Sequence, residues 1–310
     1  MDRHAYGISQ IFKESWEAAN RSRLTKMLLL LLTVITVEIT ATVLIPVWRE
    51  YFFDGVEAKD YEIFISGLWY FAGLMVAFVL SQGFKNYAIQ KLGLEWRTGL
   101  TRMLESRWKA QLPAKAAVDN PDQRIQEDTN IASMLALELV AEVVISASII
   151  FGIVWTMSPD LLIASSIYTV VICVIAACFH RPMINREKTL QRAEADYRFK
   201  LASIVADGKD RNTEMKYNGV VIHYRRLINV TLGFSLFSRA KNNLMNLVPL
   251  LMLVPMYFAD EIGFGAIMKG VSQFDLLVIN ATILIILYPK VTKALASYER
   301  IQEFYHDLQA

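Results

Sequence analysis

The chain has 310 residues, 54% of them hydrophobic, with a mean hydropathy of +0.32 and a net charge of +2. Apolar usage in soluble domains runs at roughly 45–50% even with glycine counted, so the composition lies outside the usual soluble globular range. A charge this close to zero argues neither for nor against a nucleic-acid partner.

The first 26 residues are polar and amphipathic and show no cleavable signal peptide. "GISQIFKESWEAANRSRL" reads as an elbow on the inner membrane surface, with Ile8, Ile11, Phe12 and Trp16 on its apolar face. Crossing the hydrocarbon core takes about 20 mainly apolar residues. Six such segments follow, at 27–47, 63–80, 131–157, 161–179, 244–258 and 274–287. The last two are short and need their flanks. A large soluble helical bundle is the competing reading, but the first run carries a single charge, Glu38.

Between the second and third spans the chain keeps helical spacing, with apolar or aromatic positions at Leu92, Trp96, Leu100, Met103, Leu104 and Trp108. "DNPDQRIQEDTN" (119–130) then marks a helix start: Asp119 or Asn120 as cap, Pro121 in the first helical position, and Asp122 in the first turn. Arg124 with Asp128, and Gln123 with Glu127, fall four apart on one face. "MINREKTLQRAEADYRFKLASIVAD" continues the fourth span in the same way. Cys173 and Cys178 read as buried, unpaired thiols. The inner segments hold 29 of the 32 lysines and arginines, leaving Arg49, Lys59 and Lys269 outside, so both termini are expected in the cytoplasm. The expected architecture is an all-α membrane protein of six transmembrane helices with long cytoplasmic extensions. It is a single domain, 1–26 as elbow and 27–310 as the six-helix body.

Several carboxylates lie within the apolar runs. Glu38 is near the middle of the first span, where a lipid-facing charge costs at least about 2.5 kcal/mol. It must face a cavity, find a partner or stay protonated. Glu138 and Glu142 share a face of the third span. Each is a candidate proton carrier, with a structural salt bridge or a wetted vestibule as the plain alternative. Asp260, Glu261 and Asp275 read as solvated span ends. Trp48, Tyr51, Phe52 and Phe53 read as an interface anchor, and Pro46, Pro249 and Pro255 as candidate kinks. No nucleophile–base constellation, metal-ligand spacing or dinucleotide glycine pattern occurs, so neither an enzyme nor a metal or cofactor is expected.

Five segments, in order, carry a resemblance. "VE" at 37–38 with "VWREYFFD" at 47–54, "WRT" at 96–98, "PDQRIQEDT" at 121–129, "RAEADYRFKL" at 192–201 and "YERIQEFYHDL" at 298–308 are similar to segments of the SbmA/BacA-type peptide-antibiotic transporters and their peroxisomal ABC half-transporter relatives. The resemblance spans nearly the whole chain. It implies the transmembrane fold of an ABC exporter, paired as a homodimer around a central cavity, with Trp96, Arg97, Pro121, Gln123, Arg124, Glu127 and Asp128 as the motif of the first inward hairpin. It also implies a cavity glutamate near Glu138. Two departures are the elbow, where the best-known members carry an extra membrane helix, and "DGKDRNTEMKYNG" (207–219), which matches poorly.

No G-x-x-x-x-G-K-[ST] occurs; "GKD" at 208–210 lacks the upstream glycine and the hydroxyl. Relatives without a nucleotide domain are regarded as proton-driven. The resemblance therefore implies a proton-coupled importer of peptides or peptide-like antibiotics in a bacterial inner membrane, working by alternating access, with lipid and peptide rather than nucleic acid as partners. The first alternative is the membrane subunit of an ATP-driven transporter, docking its ATPase through residues 111–117 and 207–217. The second is a scaffold or receptor that kept the fold.

Overall fold

The computed structural model describes residues 2–110, 121–207 and 213–308, and every element among them is helical. In chain order these are α1 (Asp2–Ala18), α2 (Arg21–Glu57), α3 (Tyr61–Ala110), the single turn α4 (Pro121–Gln123), a π-helical turn (Arg124–Asp128), α5 (Thr129–Val154), α6 (Pro159–Asp207), α7 (Thr213–Phe258), α8 (Phe264–Ala281) and α9 (Ile283–Asp307). The cap positions Asp119 and Asn120, the 111–117 docking segment and part of the 207–217 one lie outside the described residues. Among the described residues four helical stretches are long and apolar enough to cross a membrane: Arg21–Glu57, Tyr61–Ala110, Pro121–Val154 and Pro159–Ile204. The expected fifth and sixth spans differ for a physical reason. The apolar part of α7 begins only after Arg239, Lys241, Asn242 and Asn243. The segment 274–287 is interrupted at Thr282, whose hydroxyl bonds back to the Val278 carbonyl at 2.8 Å.

The helices form two compact units, residues 1–157 with 259–310, and residues 158–258. The second unit is the α6–α7 pair. Tyr168 donates to the Lys241 carbonyl at 2.7 Å, Phe179 stacks on Phe237, and Tyr197 meets Tyr217 with ring centroids 5.5 Å apart. Cys178 on α6 is exposed and Cys173 half-buried. The apolar run that surrounds them faces outward in this unit, so its small residues are not all in a core.

In the first unit α2 and α3 form a long hairpin. Asp60 caps α3 by accepting from the backbone N–H groups of Glu62 and Ile63 at 2.9 and 3.1 Å. The aromatics expected to anchor the interface also knit this hairpin. Trp48 donates its indole N–H to the Gly67 carbonyl at 2.7 Å and stacks on Phe52 and Phe71. Carboxylates at the end of α2 serve another helix. Asp54 and Glu57 accept from the backbone N–H groups of Gly265 and Phe264, both at 2.8 Å. Negative charge is unfavourable at the C-terminus of its own helix and favourable at the N-terminus of α8.

At the other end of α3, Ile11, Leu100, Met103, Leu104, Ala132, Ile301, Phe304, Tyr305 and Leu308 form the core that joins α1, α3, α5 and α9. The apolar stripe read on α3 is thus largely its packing face. The same core corrects the elbow reading at Ile11, while the side chain of Ile8 lies outside the described residues. Ile11 is buried against protein rather than lipid, while Phe12 points out and stacks on Trp16. The cause is the close approach of α1 to α3 at Gly99, where a Cβ would run into the Ser15 carbonyl oxygen. Trp96 donates to the Ser15 hydroxyl at 3.0 Å beside it. Gly99→Leu is therefore expected to push α1 off α3, at a cost of about 1–3 kcal/mol. It should lower the thermal midpoint in detergent and speed protease cleavage between residues 18 and 21. Unchanged midpoint and cleavage would refute this packing.

Candidate functional site

Glu38 on α2 is 4% exposed and Lys85 on α3 5% exposed. A charge at this depth cannot lean on water, and each supplies the other's counter-charge: Lys85 Nζ lies 2.9 Å from Glu38 Oε1. Gln82, one turn earlier on α3, donates to the same oxygen at 3.1 Å. The second oxygen, Oε2, is buried and finds no hydrogen-bond partner among the described residues. Lys85 has a second neighbour, Glu142 on α5, 3.6 Å away and with 30% of its side chain exposed. One turn before it, Glu138 holds Lys290 of α9. All three glutamates singled out in the sequence thus have a lysine partner. The sequence did not point to Lys85, Gln82 or Lys290. Lys85 reads there as one more cation of an inner segment, and its distance from Glu38 in sequence hides their meeting.

Asp275 on α8 is half-buried rather than a solvated end. Its Oδ1 is enclosed, with no hydrogen-bond partner among the described residues. Asp260 and Glu261 are exposed, as expected. An open apolar cleft of about 390 Å³ lies along the half of the hairpin nearer the α2–α3 turn, lined by Leu44, Val47, Trp48, Tyr51, Tyr70 and Leu74.

The motif residues gather at the start of α5. Pro121 opens the segment, and Arg124 to Asp128 follow as a π-helical turn rather than α-helix. Both same-face pairs are made, Arg124 with Asp128 and Gln123 with Glu127, each at 3.3 Å. Arg97 on α3 donates to the Gln126 carbonyl at 3.1 Å, which brings the "WRT" and "PDQRIQEDT" segments together. Trp96 turns instead to α1. The centre of the group is Asp128, whose side chain is fully buried. Arg300 on α9 forks onto it, Nε lying 3.1 and 3.0 Å from its two oxygens. The Arg300 partner is the residue that the sequence reading did not connect.

A second node lies close by. Glu14 of α1 bonds Arg107 of α3 and accepts from the Tyr305 hydroxyl of α9 at 3.0 Å, and the Arg107 guanidinium sits 4.7 Å from the centre of the Tyr305 ring. The first and last helices are thereby fixed to the same end of α3.

Comparison with known proteins adds four findings. The sequence profile of ABC transporter transmembrane region 2 matches residues 18–258. The chain is 25% identical over 279 residues to ABC transporter D family member 2, chloroplastic, of Arabidopsis thaliana, covering 82% of this chain and 38% of that protein. It is 24% identical over 335 residues to the inner membrane ABC transporter ATP-binding protein YddA of Escherichia coli, covering 95% of this chain and 59% of that one. An ABC transporter ATP-binding protein of Synechocystis is 26% identical over 276 residues. The chain thus spans about 40 to 60% of the length of these relatives.

The buried fork gives a contrast between two residues of one motif. Asp128→Ala removes the buried acceptor shared by Arg300 and Arg124 and should cost about 1.5–3 kcal/mol. Arg124→Ala removes a pair within one turn and should cost less than about 1 kcal/mol. Thermal unfolding of the purified variants in detergent measures both, and equal losses would refute the assignment of Asp128 as the centre.

Proposed function

The chain belongs to the ABC transporter transmembrane region 2 family, and on that premise we propose that it is the membrane-spanning half of an ATP-driven transporter that works as a pair of halves. In this reading α7 and the α8–α9 pair supply the fifth and sixth crossings, both termini face the cytoplasm, and the membrane is a bacterial inner membrane. The cargo is a peptide or peptide-like molecule, cationic molecules being favoured by the carboxylates of α5.

The observation that carries the energy source is the lysine partner on each candidate glutamate. A proton carrier must exchange its counter-charge for a proton as it loads. Here Glu38 and Glu142 share Lys85, and Glu138 holds Lys290. Each carboxylate already has its counter-charge in place, so a loading proton would have to displace a lysine from it. The names of the similar proteins, which include ATP-binding proteins, support the same reading. The ATPase would be a further part of the same polypeptide or a separate subunit. The Asp128–Arg300 fork lies on α9 and at the start of α5, where a moving ATPase could act on both.

Proton-driven import remains the second reading. The observation that favours it is the partnerless Oε2 of Glu38. The two separate in proteoliposomes holding the complete native transporter and a labelled cationic peptide. Flux is expected to need ATP and to persist when an uncoupler collapses the pH difference. Flux that follows the pH difference and ignores ATP would overturn the ATP-driven reading.

A further inference from the structure

Where α1 meets α2, aromatic rings and cations gather on one surface. Phe12 points outward, stacks on Trp16 with ring centroids 5.4 Å apart, and meets Trp96 of α3 edge-on at 5.3 Å. Glu95, the residue before Trp96, bonds Arg23 of α2 at 3.3 Å. The ring cluster and the start of α2 therefore converge on one turn of α3. The charges at this corner do not cancel. Glu17 is taken by Arg21 and Glu95 by Arg23, while Glu14 turns away to Arg107. Lys13, Lys26 and Lys91 are exposed and have no carboxylate partner among the described residues, and Lys91 rests over the Tyr87 ring instead. Because the hairpin is antiparallel, Lys26 and Lys91 both lie on the apolar-span side of the Arg23–Glu95 pair. Beyond them the exposed side chains are apolar, among them Leu29 and Phe84. Lysines so placed run their stems along apolar surface and hold the ammonium at headgroup depth.

We propose that the α1–α2 corner binds an anionic phospholipid. Its phosphodiester is held by Lys26, Lys91 and the outward side of Arg23, whose side chain is 70% exposed even while it bonds Glu95. Its acyl chains lie along Leu29 and Phe84. Phe12 and Trp16 flank the headgroup, at the level where aromatic rings settle in a bilayer. Charge and apolar surface together select this occupant. A soluble anion would satisfy the lysines and leave the apolar face uncovered. A zwitterionic lipid would cover that face and leave the cations in excess. A lipid of net negative charge does both. Bound there, it touches α2 and α3 and borders α1, so it adds to the contact at Gly99 in holding α1 in place. The proposal requires that α2 and α3 cross a bilayer and does not depend on what drives transport.

Tryptophan fluorescence of the full chain in phosphatidylcholine vesicles doped with a brominated lipid tests the site, because Trp16 and Trp96 adjoin it. Brominated phosphatidylglycerol is expected to quench the wild type at lower mole fractions than brominated phosphatidylcholine does. Lys26→Gln combined with Lys91→Gln should weaken the phosphatidylglycerol effect at least about fivefold, the contribution of one basic residue near a charged membrane surface. The phosphatidylcholine effect should not change. Lys188→Gln combined with Lys293→Gln removes two exposed lysines elsewhere and carries the same net charge. That variant should behave as the wild type with both lipids. Equal quenching of the wild type by the two lipids would overturn the proposal. So would equal weakening in the two double variants, which would mean a general surface-charge effect only. The readout involves neither cargo nor nucleotide, so its failure leaves the ATP-driven reading standing, and failure of that reading leaves the lipid site untouched.

Discussion

The structure of the first unit depends on compensating charge where water is absent. Two bare helices of 37 and 50 residues, mostly apolar along their contact, have little to stop one sliding on the other, since leucine packs against leucine about equally well one turn away. The Glu38–Lys85 pair removes that freedom. A slip of one turn would leave two opposite charges buried and unpaired, which costs several kcal/mol. The indole of Trp48 on the Gly67 carbonyl fixes the same register nearer the turn. Such a pair adds little net stability compared with well-packed apolar residues. Its contribution here is the uniqueness of the α2–α3 alignment.

That alignment places everything else. With the hairpin fixed, Gly99 stands where α1 can approach, Arg97 reaches the π-helical turn, and the α3 stripe meets Ile301, Phe304 and Tyr305 of α9. The π-helical turn has a physical reason of its own. A wider turn changes the facing of the residues after it, and here it lets Asp128 turn inward to Arg300 while Arg124 stays on its flank. Local departures of this kind occur frequently at functional sites, and this one coincides with the densest part of the motif.

Much of this was legible in the sequence. Apolar length marks the first four long helices, because a run such as 27–47 has no other stable use. The stripe from Leu92 to Trp108 reveals the buried face of α3 through its period alone. The same-face pairs of 123–128 follow from spacing. What could not be read was long-range pairing. Nothing in "GFKNY" says that Lys85 folds back onto Glu38, since a lysine just beyond an apolar run usually extends to the membrane surface. Arg300 lies 172 residues from Asp128. Ile11 of the elbow was misread for a related reason: an amphipathic helix shows that one face is covered, not whether lipid or protein covers it. Asp275 was misplaced because a carboxylate near a span end is solvated unless a neighbouring helix encloses it, which only the packing of α8 reveals.

The two charged groups are joined by one element. Asp128 precedes α5 directly and Glu142 lies within it, 14 residues on, about 21 Å at the rise of an α-helix. Between them the helix is continuous, so the two groups hold fixed places along one rod. The two ends are held differently. At Asp128 the contact is a fork with both carboxylate oxygens engaged, which fixes direction as well as distance. At Glu142 the contact is a single one at 3.6 Å, to an ammonium that lies closer to Glu38, at 2.9 Å. The register of α5 is therefore set chiefly at its Asp128 end, by α9, and only loosely at Glu142, by the α2–α3 hairpin.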